Sequence, residues 1–229
     1  MAYDSYHDVL PWIDINLDDS ILNGIKKYCK LVTFNKGDTL LRQGEYLECM
    51  YFLLEGSIKI STITIDGNEK TFWHNLKGSI VGEVPYYHHM ESNASILAEE
   101  DSKVYVLDGQ SIKSISKECP ELYDVLLSSM SKKIRILINQ ISDITHTNPK
   151  QRVCKLLYML VQSYGYDVEI GTQIKLPITH KEIGSILSLH RVTVTNIFSE
   201  LKKRGIAEKL KSGTILIKDI VSLEECCKL

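Results

Sequence analysis

Long apolar stretches are absent from this chain of 229 residues, and no run approaches the roughly 18–20 residues that a membrane-spanning helix requires. Residues 1–19 are acidic and contain neither a basic start nor the apolar core of a signal peptide. Low-complexity, collagen-like and largely disordered classes are excluded as well, because 44% of the residues are hydrophobic and 24% are charged. We therefore expect a cytoplasmic protein without a membrane partner.

Paired Cys-x-x-Cys motifs are also missing. The six cysteines are scattered along the chain: Cys29, Cys49, Cys119, Cys154, Cys226 and Cys227. In a reducing compartment most of them should be free thiols, buried as small apolar groups. Their spacing favours no redox site, and the adjacent pair near the end is predicted to be inert.

Metal ligands at the spacing of a cupin-type enzyme do not occur. The candidates His74, His88, His89 and Glu83 contain no His-x-His followed by a Glu, and adjacent histidines in a strand would point to opposite faces. We expect no catalytic residues, no metal site and no enzymatic activity.

Excess charge of one sign is missing overall, since the formal net charge is −2, but the charge is unevenly distributed. Residues 148–229 carry 13 Lys and Arg against 8 Asp and Glu, whereas residues 1–147 carry 14 against 21. Such asymmetry is typical of a nucleic-acid-binding module joined to a second module with a different partner.

Glycines at nearly regular intervals divide residues 33–106 into short apolar segments, which predicts an all-β barrel or sandwich. Residues 57–63 alternate polar and apolar side chains, as in a strand with one buried face. Asp66-Gly67 then indicates a tight turn that pairs this strand with the segment around Thr71–His74. Trp73 and His74 are expected to pack in the core.

A long helix is predicted from Pro120, placed in its first turn, to Thr145. Apolar residues recur along it at alternating spacings of four and three: Tyr123, Leu127, Met130, Ile134, Leu137, Ile141 and Ile144. Isoleucine at the a positions favours a two-stranded parallel coiled coil, so we expect a homodimer. The alternative is a helix packed only on its own domain, and further apolar residues such as Leu126 and Ile136 would let one helix serve both roles.

The last third of the chain predicts two short helices joined by a tight turn. Thr179 and Glu182 form a capping-box signature before the first helix, and the second covers His190–Lys203. A β-hairpin over Ile206–Ile217 would add a wing. This order indicates a winged helix-turn-helix, whose second helix enters the major groove, rather than an ordinary helical hairpin.

The predicted second helix has an apolar back and a polar front. Arginine pairs with guanine, asparagine with adenine, and an apolar side chain with the thymine methyl group, while lysines hold phosphates. The candidate DNA-binding residues are Thr179, Lys181, Arg191, Val192, Thr193, Thr195, Asn196 and Lys202, with Lys203 and Arg204 as further phosphate candidates.

The order of these parts resembles the CRP/FNR family of bacterial transcription regulators. The matching motifs are Phe34-x-x-Gly37-x-x-Leu40-x-x-x-Gly44-Glu45, Tyr51-Phe52-Leu53-Leu54-x-Gly56-x-Ile58-Lys59, Gly78-x-x-x-Gly82-Glu83 and Lys181-Glu182-Ile183-Gly184. The resemblance implies an α+β fold: a cyclic-nucleotide-binding-like β-roll (a jelly roll) over 1–115, a dimerisation helix over 116–147 and a winged helix-turn-helix over 148–229. It also implies an activator that binds a palindromic double-stranded DNA site and RNA polymerase.

Within that family, the segment after Gly82-Glu83 departs from the members that bind cyclic AMP. Those members carry an Arg followed by Ser or Thr for the cyclic phosphate, where this chain has Ser92 and Asn93. A buried phosphodiester needs a charge-assisted partner, and no arginine lies between Arg42 and Arg135. Binding of cyclic AMP is therefore not expected.

The chain is most similar to the CprK-type regulators of reductive dehalogenation, a branch that binds halogenated phenols in the β-roll. This resemblance is carried by Thr147-Asn148-Pro149, Leu176-Pro177-Ile178 and His190-x-Val192-Thr193-Val194. It implies a small-molecule effector, a haloaromatic or another small aromatic, and an alternative is haem- or thiol-based redox or gas sensing. The candidate effector residues are Gly82, Glu83, Tyr86, Tyr87, His88, Ser92 and Asn93, although the aromatic and histidine side chains could equally be exposed loop residues.

The second helix also lacks the glutamate with which many members of the family read cytosine. The corresponding residues here are Arg191, Val192 and Asn196. Loss of an acceptor for the cytosine amino group predicts a half-site that differs from the CRP consensus and is richer in A·T.

Overall fold

The computed structural model describes residues 10–15 and 17–228. The chain divides into two compact units: the β-roll unit, Pro11–Ile136, and the helix-turn-helix unit, which begins at Leu137. The predicted α+β class is confirmed, and the predicted β-roll, long helix and helix-turn-helix follow one another in the expected order.

The β-roll unit contains nine strands and the helices that pack on them. Its elements are β1 (Trp12–Ile13), α1 (Asp19–Tyr28), β2 (Lys30–Phe34), β3 (Thr39–Leu41), β4 (Cys49–Glu55), β5 (Ile58–Ile63), β6 (Glu69–Asn75), β7 (Ile80–Val81), α2 (Glu83–His88), β8 (Ser95–Ala98), β9 (Ser102–Asp108) and α3 (Gly109–Glu118), followed by the long helix α4 (Leu122–His146).

Two sheets form the roll, with strand orders β1-β6-β5-β8-β3 and β2-β9-β4-β7. All pairs are antiparallel except β1 with β6. The predicted hairpin joins β5 to β6, and Gly67 in its turn has a φ of 78°. Trp73 and His74 are buried, as expected. A bulge between Ile60 and Ser61 shifts the register, so Ile60 pairs with Trp73 and Ser61 with Thr71.

Helix α4 has two distinct faces. Its buried face comprises Leu122, Leu126, Ser129, Lys133 and Ile136, which recur at spacings of four and three and lie within the β-roll unit. The predicted a/d seam lies on another face, where Leu127, Ile134, Ile141 and Ile144 are about half exposed or more. Pro120 is not in the first turn, as predicted; the helix begins at Leu122, and the Pro120 carbonyl accepts from the Tyr123 amide.

The helix-turn-helix unit combines helices with a four-stranded antiparallel sheet of order β10-β11-β13-β12. Its elements are α5 (Pro149–Tyr164), β10 (Gly165–Val168), β11 (Gly171–Ile174), α6 (His180–Leu187), α7 (Arg191–Lys203), β12 (Ala207–Lys209), β13 (Ile215–Ile217) and α8 (Ile220–Glu225). The predicted wing is the β12–β13 hairpin. The β10–β11 hairpin was not predicted.

Helix α4 ends before Asn148-Pro149, as predicted, and the same two residues start α5. The Asn148 side chain accepts from the Gln151 amide, the Gln151 side chain accepts from the Asn148 amide, and Pro149 occupies the first helical position. In the parts of the chain that the structure describes, no helix is long and apolar enough to cross a membrane.

Gly56, between β4 and β5, is predicted to be intolerant of any side chain. Its φ is 96°, and a Cβ there would overlap the Ser102 hydroxyl and lie 2.7 Å from the Asp101 carbonyl oxygen. Gly67 is a matched control, since it also has a positive φ but a Cβ there would meet nothing within 4 Å. In urea unfolding, Gly67→Ala should cost about 1 kcal/mol and Gly56→Ala about 3 kcal/mol or more. Equal losses would contradict this account.

Candidate functional sites

The helix-turn-helix geometry is built from local capping interactions. Thr179 accepts from the Glu182 amide through its hydroxyl, and the Glu182 carboxylate accepts from the Thr179 amide at 2.6 Å, so the predicted capping box is confirmed. Ser188 ends α6 with a φ of 56°. A Cβ on Gly184 would lie 2.5 Å from the Leu189 carbonyl oxygen, so glycine lets the turn fold closely over α6.

Helix α7 separates a buried back from an exposed front, as the sequence predicted. The back is formed by Val194, Ile197, Phe198 and Leu201, all buried. Arg191, Val192, Thr195 and Asn196 are exposed, and Thr193 is half-buried. The exposed Val192, at 68% of its surface, is an apolar side chain presented to solvent beside polar ones, as contact with a thymine methyl group requires.

One predicted reading residue, Thr195, is already engaged within the unit. Its hydroxyl donates to the Arg191 carbonyl at 3.0 Å and lies 3.0 Å from His180 Nδ1. The His180 ring packs on Phe198 at 4.6 Å, and burial, with help from Lys209 and Arg191, lowers the pKa of His180. Thr195 therefore joins α6 to α7, and Arg191 and Asn196 are the freer polar groups of the front.

The predicted phosphate-binding residues differ in their surroundings. Lys181 is exposed at the start of α6, as are Lys203 and Arg204 at the end of α7. Lys202 is 3.0 Å from Glu208, which also pairs with Lys218 at 2.7 Å. A phosphate would therefore compete with Glu208 for Lys202. The Thr179 hydroxyl is used in the helix cap.

A second candidate site lies inside the β-roll unit, around Glu83. Gly82, with a φ of 92°, precedes α2 and places Glu83 in its first turn, where the carboxylate is 1% exposed. Glu83 forms an ion pair with Lys133 of α4 and accepts from the Ser129 hydroxyl at 3.1 Å. Lys133 also donates to the Ile80 carbonyl at 2.9 Å. Burying such a pair is costly unless its hydrogen bonds are satisfied, and here they are.

Lys133 and Ser129 were not predicted as site residues. The signal was present in the sequence, because both fall on the buried stripe of α4, where a charged side chain is exceptional. The sequence does not reveal which carboxylate this lysine meets, since Glu83 and Lys133 are brought together only by the packing of α4 on the roll.

Unpaired polar atoms mark the roll beside this ion pair. In the described part of the chain, the buried Ser61 hydroxyl, Trp73 Nε1 and both side-chain amide atoms of Asn75 have no hydrogen-bond partner. Trp73 connects this group to the ion pair, because its ring lies 5.7 Å from Lys133 Nζ. Buried polar atoms are normally satisfied by protein, water or ligand, so this group is a candidate surface for a polar ligand.

The other predicted effector residues do not all gather there. They belong to a helix, α2, and the strand that follows, instead of the open loop considered as the alternative. Tyr86 packs against the cluster formed by α1, α3 and α4, and burial raises its pKa. Tyr87, His88 and Asn93 are exposed. Ser92 is buried, but its hydroxyl donates to the Ala94 carbonyl at 2.7 Å. Of the predicted set, Glu83 and its neighbour Gly82 lie at the ion pair.

Comparison with known protein families matches both units. Residues 31–119 match the cyclic nucleotide-binding domain, and residues 151–226 match the Crp-like helix-turn-helix domain. A CRP-like cAMP-activated global transcriptional regulator from Mycobacterium tuberculosis is 23% identical over 203 residues, which cover 89% of this chain and 90% of that protein.

Solved structures share the fold over nearly the whole chain. CprK complexed with OCPA has a TM-score of 0.81 at 24% identity and covers 96% of this chain and 99% of its own. A mutant of CooA from Carboxydothermus hydrogenoformans has a TM-score of 0.82 at 22% identity, with coverage of 94% and 97%.

These matches point to transcription regulators rather than to enzymes. A cyclic-nucleotide-binding-type β-roll, a long helix with an exposed apolar seam and a helix-turn-helix with a polar reading front occur here in the order found in those regulators. The chain belongs to the CRP/FNR family of DNA-binding transcription regulators.

Proposed function

We propose that this regulator is switched by a small anionic aromatic, a halogenated phenol or a related acid, bound in the β-roll at Lys133. The observation that carries the proposal is the buried Glu83–Lys133 ion pair beside the unpaired atoms of Ser61, Trp73 and Asn75. A phenolate or carboxylate placed there would offer Lys133 a second anionic acceptor, and the Trp73 ring is an apolar surface for an aromatic ligand.

The same observations disfavour a cyclic nucleotide. No arginine occurs between residues 42 and 135, and Ser92 and Asn93 stand where a phosphate-binding pair would be. The buried cation of Lys133 is already neutralised by Glu83. A ligand with one delocalised negative charge fits this balance better than a phosphodiester carrying a ribose and a base. CprK, similar in fold, is described in complex with o-chlorophenolacetic acid, which supports the aromatic class.

Dimerisation and DNA binding complete the proposal. The exposed seam of α4 would pair with the same seam of a second copy, which would place two α7 helices on a palindromic site about one helical turn apart. Arg191, Val192, Thr193 and Asn196 would read bases, Lys181 and Lys203 would hold phosphates, and Thr195 would position Arg191. Activation through RNA polymerase rests on the family resemblance.

The effector proposal is tested by thermal shift in the presence of chlorinated phenols, other aromatics and cyclic AMP. Chlorophenols at about 100 times their Kd should raise the Tm by about 5 °C or more, and cyclic AMP should not. Replacing Lys133 alone would leave Glu83 buried and unpaired, so the informative variant is the neutral pair Glu83→Gln with Lys133→Met.

In that double variant the chlorophenol shift should disappear. Lys132→Met is the control, because this adjacent lysine instead donates to the Asp14 carbonyl at 3.0 Å and should keep the full shift. A shift with cyclic AMP and none with aromatics would refute the proposal, as would an undiminished chlorophenol shift in the double variant.

The seam is tested by the mass of the particle in solution, measured by light scattering. Ile141→Glu places a charge at an a position that is 65% exposed in the single chain, so the dimer should dissociate to a 26.1 kDa monomer. Ser142→Glu adds the same charge to the next, exposed residue and should leave the dimer intact. Dissociation in both variants, or in neither, would argue against this seam.

Base reading and phosphate binding can be separated after the operator has been obtained by binding-site selection, which should return a palindrome richer in A·T than the CRP consensus. Arg191→Ala should weaken operator binding by about 10- to 100-fold and relax the preference at one position of each half-site. Lys181→Ala should weaken binding to all sequences similarly and lower the salt dependence by about one unit of slope. Recovery of the CRP half-site, or identical behaviour of the two variants, would contradict these assignments.

A further inference from the structure

Three thiols meet in the helix-turn-helix unit, where the tail of the chain packs on α5. Cys154 on α5 is fully buried, and its thiol lies within hydrogen-bonding reach of Cys226, the residue that ends α8. Cys227 is buried beside them and donates to the Leu223 carbonyl at 3.3 Å. The Gln151 side chain donates to the Lys228 carbonyl at 2.7 Å and holds this tail against α5.

Cys226 differs from its two neighbours in exposure and in charge environment. It is partly exposed, and the Arg204 guanidinium donates to its sulfur at 3.6 Å. A neighbouring cation stabilises a thiolate, the form that reacts. Burial, by contrast, raises the pKa of Cys154 and of Cys227 to about 12, so both stay protonated at neutral pH. The cluster therefore contains one accessible thiol beside a cation and one buried thiol aligned with it.

We propose that Cys226 and Cys154 are a hydroperoxide-oxidised dithiol, with Cys226 as the attacking thiol and Cys154 as the resolving one. The site is confined to the helix-turn-helix unit and is independent of which effector the β-roll binds. It also departs from the expectation that the cysteines near the end of the chain are inert.

The chemistry balances with hydrogen peroxide as the oxidant. The Cys226 thiolate attacks one peroxide oxygen, the O–O bond breaks, and the sulfur becomes a sulfenic acid while the departing hydroxide takes the thiol proton and leaves as water. The Cys154 thiol then attacks that sulfur, the S–O bond breaks, and the hydroxide leaves with the Cys154 proton as a second water. Two thiols and one peroxide thus give one disulfide and two waters.

The test uses the full-length reduced protein, treated with hydrogen peroxide, quenched with N-ethylmaleimide and digested with trypsin. Mass spectrometry should find residues 153–155 linked to residues 219–228, at about 2 Da below the summed peptide masses, with fragmentation assigning the bond to Cys226. On a non-reducing gel the chain should remain monomeric, and dithiothreitol should reverse the link. A bond through Cys227, a Cys226–Cys227 bond, or no link at all would overturn the proposal.

Variants then separate the roles of the thiols. Cys226→Ser should abolish the link, and Cys154→Ser should leave a sulfenic acid on Cys226 that reacts with dimedone. Cys227→Ser is the matched control, because it removes the adjacent thiol and should retain the link. Arg204→Gln should slow oxidation of Cys226 by roughly threefold to tenfold. Loss of the link in Cys227→Ser, or dimedone labelling of Cys227 in place of Cys226, would contradict the assignment.

Discussion

The buried Glu83–Lys133 ion pair is the interaction on which the arrangement of the sensor depends. Desolvating two charges costs several kcal/mol each, and only close pairing with further hydrogen bonds offsets that cost. Ser129 and the Ile80 carbonyl supply those bonds, so α4 fits the roll in the one register that brings Lys133 to Glu83. The same helix presents its apolar seam on another face. A ligand that competes for Lys133 therefore acts on the element that also carries the dimer seam.

Local patterns in the sequence predicted much of this fold. The glycine intervals and the Asp66-Gly67 turn indicated the strands of the roll, because a positive φ leaves few alternatives to glycine. Thr179 and Glu182 marked the start of α6 through capping chemistry that involves only four consecutive residues. The seam of α4 was visible because helical periodicity repeats within the segment itself. Each of these signals is contained in a short stretch of chain.

The features that sequence reasoning missed depend on residues far apart in the chain. Lys133 and Glu83 are fifty residues apart, and Cys154 and Cys226 are seventy-two apart, so no local spacing announces either pair. Tyr86 was expected at the effector site because it follows Glu83 closely, but α2 turns its ring toward the cluster of α1, α3 and α4. The β10–β11 hairpin was missed because Gly165 indicated the end of α5 without indicating the strand that begins there.

The central claim is that the content of the β-roll controls DNA binding. It is tested most directly by fluorescence anisotropy of a labelled operator, titrated with the protein at fixed ionic strength in the absence and presence of a saturating chlorophenol. Allosteric coupling of about 1–3 kcal/mol predicts that the ligand changes the operator Kd by about 5- to 150-fold. An operator Kd that is the same with and without the ligand, although the ligand is bound, would contradict the account.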